Sequence, residues 1–379
     1  MGLIFGIIIG LVILVLLVVA HELGHAIVAK RNGVVVEEFG IGLPPMAWKK
    51  KLKNGILFSL NWLPLGGFVK LQGENDSAKK KGDYGAATFM KKTKILLAGV
   101  TVNWIIAVIL LSALALVGLP KILPNQFSIP SDTEVISQPV EIASITKDYP
   151  ASKSGIKSGD KIISFAGQQV STVDELLKQI KLNKGKEVVV IYNRDGKDNS
   201  VKVNLKNNSK GEIFGAGLGQ RESIKTTWSA PIVGVVTTAQ FTWVTLQGLG
   251  DLIYNLVNGL VMQLSPSSVD RANASLELQT VSASVAGPIG IIGIIFPAAS
   301  QAGMIQLIFL SAIISLTLAV MNILPIPALD GGRWFTMVIF RLSKKKLTQA
   351  REEKIQMIGF TILMALVILV TIADVTKLF

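Results

Sequence analysis

Residues 1–25 read MGLIFGIIIGLVILVLLVVAHELGH. The first twenty carry no charge, and about twenty residues of helix cross the hydrocarbon core of a bilayer. His21, Glu22 and His25 then fall within little more than one turn at the end of that run. An ionisable side chain at such a depth costs about 3 kcal/mol without partners, so three together point to a functional site. A spacing of four sets His21 and His25 one turn apart on one helix face, where two imidazoles can hold one zinc. Glu22 points about 100° away and can reach a water at the metal. An apolar amino terminus is often a cleaved signal peptide. Here no basic residue precedes the run, and it passes without a break into motif-bearing sequence. A retained helix is expected.

Composition agrees. The chain has 379 residues, half of them apolar, with a mean hydropathy of +0.52. Charged residues make up 17%, against about 25% in ordinary soluble domains. An integral membrane protein follows. The absence of cysteine excludes disulfides, thiolate ligands and a thiol nucleophile, and there is no third histidine. A catalytic zinc takes three protein ligands and keeps one position open. The third ligand must therefore be a carboxylate, and Asp251, Asp330 and Asp374 are the candidates at membrane level. Asp330 closes the run from Asn322 (NILPIPALD), where Pro325 and Pro327 bar ordinary helix and let the chain bend around a site. From these residues alone, an aspartate that merely stops a helix is an equally good reading.

Four spans are expected, at 1–30, 95–119, 303–332 and 355–376. The uncharged stretch 278–329 is broken by Pro288, Pro297 and Pro325, and only its later part reads as a spanning helix. The apolar stretch 228–262, interrupted by Asp251, is ambiguous, and 228–300 is assigned to an extracytoplasmic or interfacial helical segment. The net charge of +13 is concentrated in two loops. Residues 31–94 hold 12 basic and five acidic side chains, and 333–354 hold seven basic and two acidic. Both read as cytoplasmic flanks on anionic lipid, with both chain ends outside and no nucleic-acid function. If Asp330 shares a metal with the histidines, the two helices that carry them run in the same direction. An odd number of crossings must then separate them, so 228–262 is expected to pack on the outer surface or not to cross alone.

Between the second and third spans, 120–227 reads as water-soluble, with a core at about 140–206. PASKSGIKSGDKIISFAGQQV (Pro150–Val170) precedes a helix-spaced 173–181, a strand at 187–192 (EVVVIY), an Asp195-Gly196 turn and a strand at 201–205. Strands flanking one helix make a small α+β domain, and the quoted segment resembles a PDZ domain. In the first basic loop, Gly55–Leu71 (GILFSLNWLPLGGFVKL) is strand-like with a Pro-Leu-Gly-Gly break. It is too short and turn-rich to span, so a membrane-associated β-hairpin at 55–71 is expected. Its edge could hold an extended substrate by strand addition.

HELGH together with NILPIPALDG, on separate membrane helices, resembles the site-2 protease family of intramembrane zinc metalloproteases (peptidase family M50), in its bacterial PDZ-containing form. The resemblance covers the whole chain: GGFVKL in the basic loop, the PDZ-like insert and Gly287-Pro288-Ile289-Gly290 follow in family order. It implies an α-helical polytopic membrane protein with His21, His25 and Asp330 as ligands of one zinc per chain and Glu22 as general base. It implies substrate contacts at Asn322, Pro325, Pro327, Gly66, Gly67 and Phe68. The implied substrates are single-span membrane proteins already trimmed by another protease, such as anti-sigma factors or remnant signal peptides. The implied location is the cell inner membrane, with both termini and the PDZ-like domain outside and a peptide carboxyl terminus as that domain's partner. Ala98-Gly99-Val100-Thr101-Val102-Asn103 resembles the family's second-helix motif, but Val100 stands where proline is usual. That departure leaves Asn103 read as packing against the first helix. A catalytically silent scaffold of the same fold is the alternative, and the intact HELGH and Asp330 argue against it.

Overall fold

The first helix, α1 (Gly2–Arg31), runs unbroken for 30 residues because it holds no proline and no charged residue before Glu22. This computed structural model describes residues 2–207 and 212–378. The chain divides into two compact units, Met1–Ala113 with Pro231–Phe379, and Leu114–Ala230.

After α1 come β1 (Val36–Lys51) and β2 (Leu57–Leu71), which pair in one sheet. The hairpin expected within 55–71 is corrected by their register. Residues 38–41 pair with 57–60 on one side and with 67–70 on the other, and 57–60 also pair with 48–51. Each long strand is thus bent, β1 around Pro44-Pro45 and β2 around Pro64–Gly66. The two arms of 57–71 do not pair with each other but enclose an arm of β1. The proline and glycine break was legible, but the inserted partner was not, since its pairing is non-local. Among the described residues, 67–70 forms one outer edge of this sheet. The short α2 (Phe89–Leu96) then leads into α3 (Ala98–Val117).

The second unit contains β3 (Leu119–Pro120), β4 (Glu134–Ser137), β5 (Val140–Ile145), α4 (Pro150–Lys153), β6 (Lys161–Phe165), β7 (Gln168–Gln169) and α5 (Val173–Leu182). β8 (Glu187–Arg194), β9 (Lys197–Asn204), β10 (Ala216–Gly219) and β11 (Glu222–Lys225) complete it. Its main sheet has the order β10-β5-β6-β8-β9, with β7 beside β6. In β8, Val188, Val190 and Tyr192 are buried while Val189 and Ile191 are exposed, the alternation of a strand with one covered face. Asp195 and Gly196 turn the chain with φ of 53° and 81°, as a tight hairpin requires. A capping box between Thr172 and Glu175 starts α5, and its Leu176 and Ile180 close the core over Ile142, Ile162 and Phe165.

The remaining elements are α6 (Ala230–Gln263), α7 (Ser268–Ser284) and α8 (Pro288–Gly290), which continues through a π-turn into α9 (Phe296–Ala302). Then follow α10 (Met304–Ile323), α11 (Asp330–Leu342) and α12 (Gln349–Leu378). Among the described residues, five helices are long and apolar enough to cross a membrane, against four spans expected: α1, α3, α6, α10 and α12. The additional one is α6, in which Asp251 is the single charge. It runs antiparallel to α3: Gly234 packs against Ser112, and Trp104 Nε1 donates to Thr242 Oγ1 at 3.2 Å. α7 reverses along α6, with Asn258 Nδ2 donating to both carboxylate oxygens of Glu277 at 3.2 and 3.0 Å.

One buried charge in the second unit gives a test. Asp160 accepts from Arg194 Nε at 2.6 Å, from Arg194 Nη2 at 2.7 Å and from the Lys157 backbone N–H at 2.8 Å. Burial pushes its carboxyl up, but these bonds outweigh it and hold the group below 3.8. A depressed folded value adds stability above the unfolded value, and that stability is lost as pH falls through the folded one. In the full chain, Asp160→Asn is predicted to lower hydrogen-exchange protection of 140–205 at neutral pH. The difference from the parent should shrink below pH 3.8. A deficit that grows on acidification would contradict this.

Candidate metal centre and active site

The site begins where α10 stops. Leu324 turns to extended backbone (φ −64°, ψ 151°) before Pro325, as a residue preceding proline must. Asp330 therefore opens a new helix, α11, instead of ending the third span at 332 as the sequence suggested. The turn needs its glycines. A Cβ on Gly331 would stand 2.2 Å from the Ile323 carbonyl oxygen, and one on Gly332 would stand 2.0 Å from that of Ile326.

Three donor atoms then converge. Asp330 Oδ2 lies 3.1 Å from His21 Nε2 and 3.1 Å from His25 Nε2, and the two Nε2 atoms are 3.2 Å apart. A tetrahedral zinc with ligand bonds of about 2.0–2.1 Å spaces its donors by roughly 3.3 Å, so the residues present fit the ion. The tautomers fit as well. His25 Nδ1 donates to the Ile95 carbonyl at 2.8 Å, which leaves its Nε2 lone pair bare. His21 Nδ1 lies 3.4 Å from the side-chain amide of Asn103, a residue with no exposed surface whose Oδ1 has no other partner. An amide can turn either end to its neighbour. Nδ2 faces the ring; turned so that Oδ1 faces it instead, Asn103 would accept from His21 Nδ1 and hold the proton there. Asn103 does pack against the first helix, and the residue it meets there is His21. Its signal was in the sequence, as the one amide side chain in an uncharged helix.

Gly99 makes the room. A Cβ there would stand 2.4 Å from His25 Nε2 and 2.6 Å from His21 Nε2. His21, His25 and Asp330 form the one grouping among the described residues that could hold a metal ion. Asp374 is buried elsewhere, accepting from the Gly287 and Gly290 backbone N–H groups at 3.2 and 2.8 Å. Asp251 is exposed on α6.

Glu22 is half-buried on α1 between the two histidines. Gly67 is brought beside it: a Cβ on Gly67 would lie 3.4 Å from Glu22 Cγ and 3.5 Å from Val18 Cγ1. Gly66 (φ 91°) sits opposite Leu43, and the Phe68 ring lies over Gly40 on β1. Pro327 packs against Gly359 of α12, while Pro325 is exposed. Asn322 is half-buried with no hydrogen-bond partner among the described residues. Sequence reading also missed Arg333. Its guanidinium donates to Glu74 Oε1 at 2.7 Å and to the Glu74 carbonyl at 2.9 Å, and pairs with Glu352 at 3.5 Å. It ties the first basic loop and α12 to the helix that begins with Asp330.

Two histidines one turn apart, a carboxylate converging on them and a glutamate between them, set on long apolar helices, define a multi-pass membrane metalloprotease. The chain matches peptidase family M50 over residues 9–366 and belongs to that family. A Clostridium acetobutylicum protein named a zinc metalloprotease is 30% identical over 371 residues, covering 98% of this chain and 97% of that one. One from Clostridium perfringens, also named a zinc metalloprotease, is 31% identical over 361 residues, with 95% of each chain covered. The regulator of sigma-W protease RasP of Bacillus subtilis is 25% identical over 447 residues, with 96% of each covered. The protein is a zinc metalloprotease.

Two changes that remove no donor atom are predicted to empty the centre. Gly99→Ala, by pressing a methyl between the imidazoles, should leave zinc content well below parent by elemental analysis. Asn103→Leu should lower zinc affinity by roughly 10–100-fold, as loss of a ligand's hydrogen-bond partner typically does. Parent-like zinc in Gly99→Ala would refute the packing described here.

Proposed function

We propose that this protease hydrolyses peptide bonds within or beside the spanning helices of other membrane proteins. His21, His25 and Asp330 hold one zinc per chain, and Glu22 is the general base. The observation that carries this reading is the place of the histidines, at the end of an uncharged twenty-residue run of α1. When bound, zinc supplies a Lewis acid for the scissile carbonyl and makes water more acidic. Glu22, off the histidine face, takes the water's proton and passes it to the leaving amine. Asp330 and the two imidazoles stay as ligands throughout, their tautomers held by Ile95 and Asn103.

A helical substrate hides its peptide bonds, so the segment to be cut must unwind. The edge at 67–70 lies beside Glu22 and offers backbone groups to an extended strand. Gly67 keeps that approach free of side chain, Gly66 and Phe68 flank it, and Asn322, without a partner of its own, can donate to a substrate carbonyl. Pro325 and Pro327 keep the neighbouring backbone open. The charge of the basic loops supports a topology with 31–94 and 333–354 in the cytoplasm and with both termini and the 120–227 domain outside the cell inner membrane. Suitable substrates are single-span proteins trimmed beforehand by another protease, including anti-sigma factors and remnant signal peptides. The PDZ-like domain would take the newly formed carboxyl terminus.

The test separates chemistry from metal binding. Glu22→Gln is predicted to keep its zinc while cleavage of a model single-span substrate in liposomes falls by roughly 10²–10⁴-fold. Asp330→Asn should lose zinc and activity together, because a neutral amide is a poorer ligand. Full turnover in Glu22→Gln would end this mechanism. A parent protein that holds zinc but cuts nothing would favour the silent-scaffold reading.

A further inference from the structure

The basic residues that follow α11 do not simply point to solvent. Around a cavity of about 600 Å³ stand Lys79, Lys92, Arg341, Lys345 and Lys346, with Asp76 as its only acidic lining residue. Asp76 is already paired with Lys92. Among the described residues, Lys79, Arg341, Lys345 and Lys346 have no ion-pair partner, although the Arg341 guanidinium rests on the Phe89 ring at 4.8 Å. The remaining wall is mixed: Phe89, Met337, Phe340 and Leu347 are apolar, and Ser77 and Thr348 add hydroxyls.

Unpaired cations gathered in a cavity call for a multivalent anion. The loops that line it carry the basic residues of a cytoplasmic membrane flank, where the abundant anion is a phospholipid headgroup. We infer that this cavity binds the headgroup of an anionic phospholipid, its phosphate among Lys79, Arg341, Lys345 and Lys346. The site goes beyond general attraction of basic loops to a charged membrane, because it assigns a place and a stoichiometric ligand. It also bears on the protease. α11 is 13 residues long and has Asp330 at one end and Arg341 in its last turn at the other. A lipid held at Arg341 therefore braces the helix that presents Asp330 to the histidines.

The test reads lipid binding directly, so it does not depend on the proteolytic reading. The full chain is reconstituted in nanodiscs of phosphatidylcholine with phosphatidylglycerol, and lipid retained on transfer to detergent is counted by native mass spectrometry. Lys345→Ala/Lys346→Ala is compared with Lys49→Ala/Lys50→Ala, which removes equal charge on β1, outside the cavity. The parent and the β1 variant are expected to retain phosphatidylglycerol. The cavity variant should bind it more weakly by roughly fivefold for each cation removed. Equal losses in both variants would mean diffuse charge attraction and would overturn the site, as would no loss in either. Inorganic phosphate at millimolar concentration supplies the last arm. Retention of lipid in its presence supports the assignment, and displacement would make this a site for the free anion.

Discussion

Everything around α1 answers to one constraint: ionisable groups placed at membrane depth must satisfy each other, because the surrounding lipid will not. His21, His25 and Asp330 meet this by pointing at a single spot, 3.1–3.2 Å from one another. Two bare nitrogens and a carboxylate at such distances repel without a cation among them. The second ring of contacts exists to sustain that arrangement. The Ile95 carbonyl and Asn103 take the Nδ1 side of each imidazole, and Ser315 Oγ in turn donates to the Asn103 carbonyl at 2.8 Å, fixing α3 against α10.

Close helix approach is the other half of the design. α3 reaches the histidines because Gly99 has no side chain, and the Asp330 turn folds under Ile323 and Ile326 because Gly331 and Gly332 have none. On the far part of α1, Gly6 and Gly10 receive Pro297 and Phe296 of α9 in the same way. Without a hydrophobic driving force between helices in lipid, such small-residue contacts supply the packing. Arg333, held by Glu74 and Glu352, anchors the near end of α11 from outside the apolar region.

Much of this was legible in the sequence because the signals are local. The HELGH spacing, the proline break before Asp330 and the Asp195-Gly196 turn each act within a few residues. In the second unit the expected helix at 173–181 and strands at 187–192 and 201–205 correspond to α5, β8 and β9. What stayed hidden depends on partners distant in the chain. Asp330 could not be separated from Asp251 and Asp374 by composition, since only the fold shows Asp374 accepting from the Gly287 and Gly290 N–H groups. The insertion of 38–41 between the two arms of β2 has no sequence mark. Nor did 228–262 disclose that it forms one unbroken helix, because a single aspartate weakens its hydropathy without breaking its backbone.

The central claim is that two imidazoles and one carboxylate share one zinc. Zinc X-ray absorption spectroscopy on the purified protein tests it most directly. The account predicts a first shell of nitrogen and oxygen only, at about 2.0–2.1 Å, with the outer-shell scattering of two histidine rings. A shell with one imidazole, or six oxygens at longer distance, would contradict it.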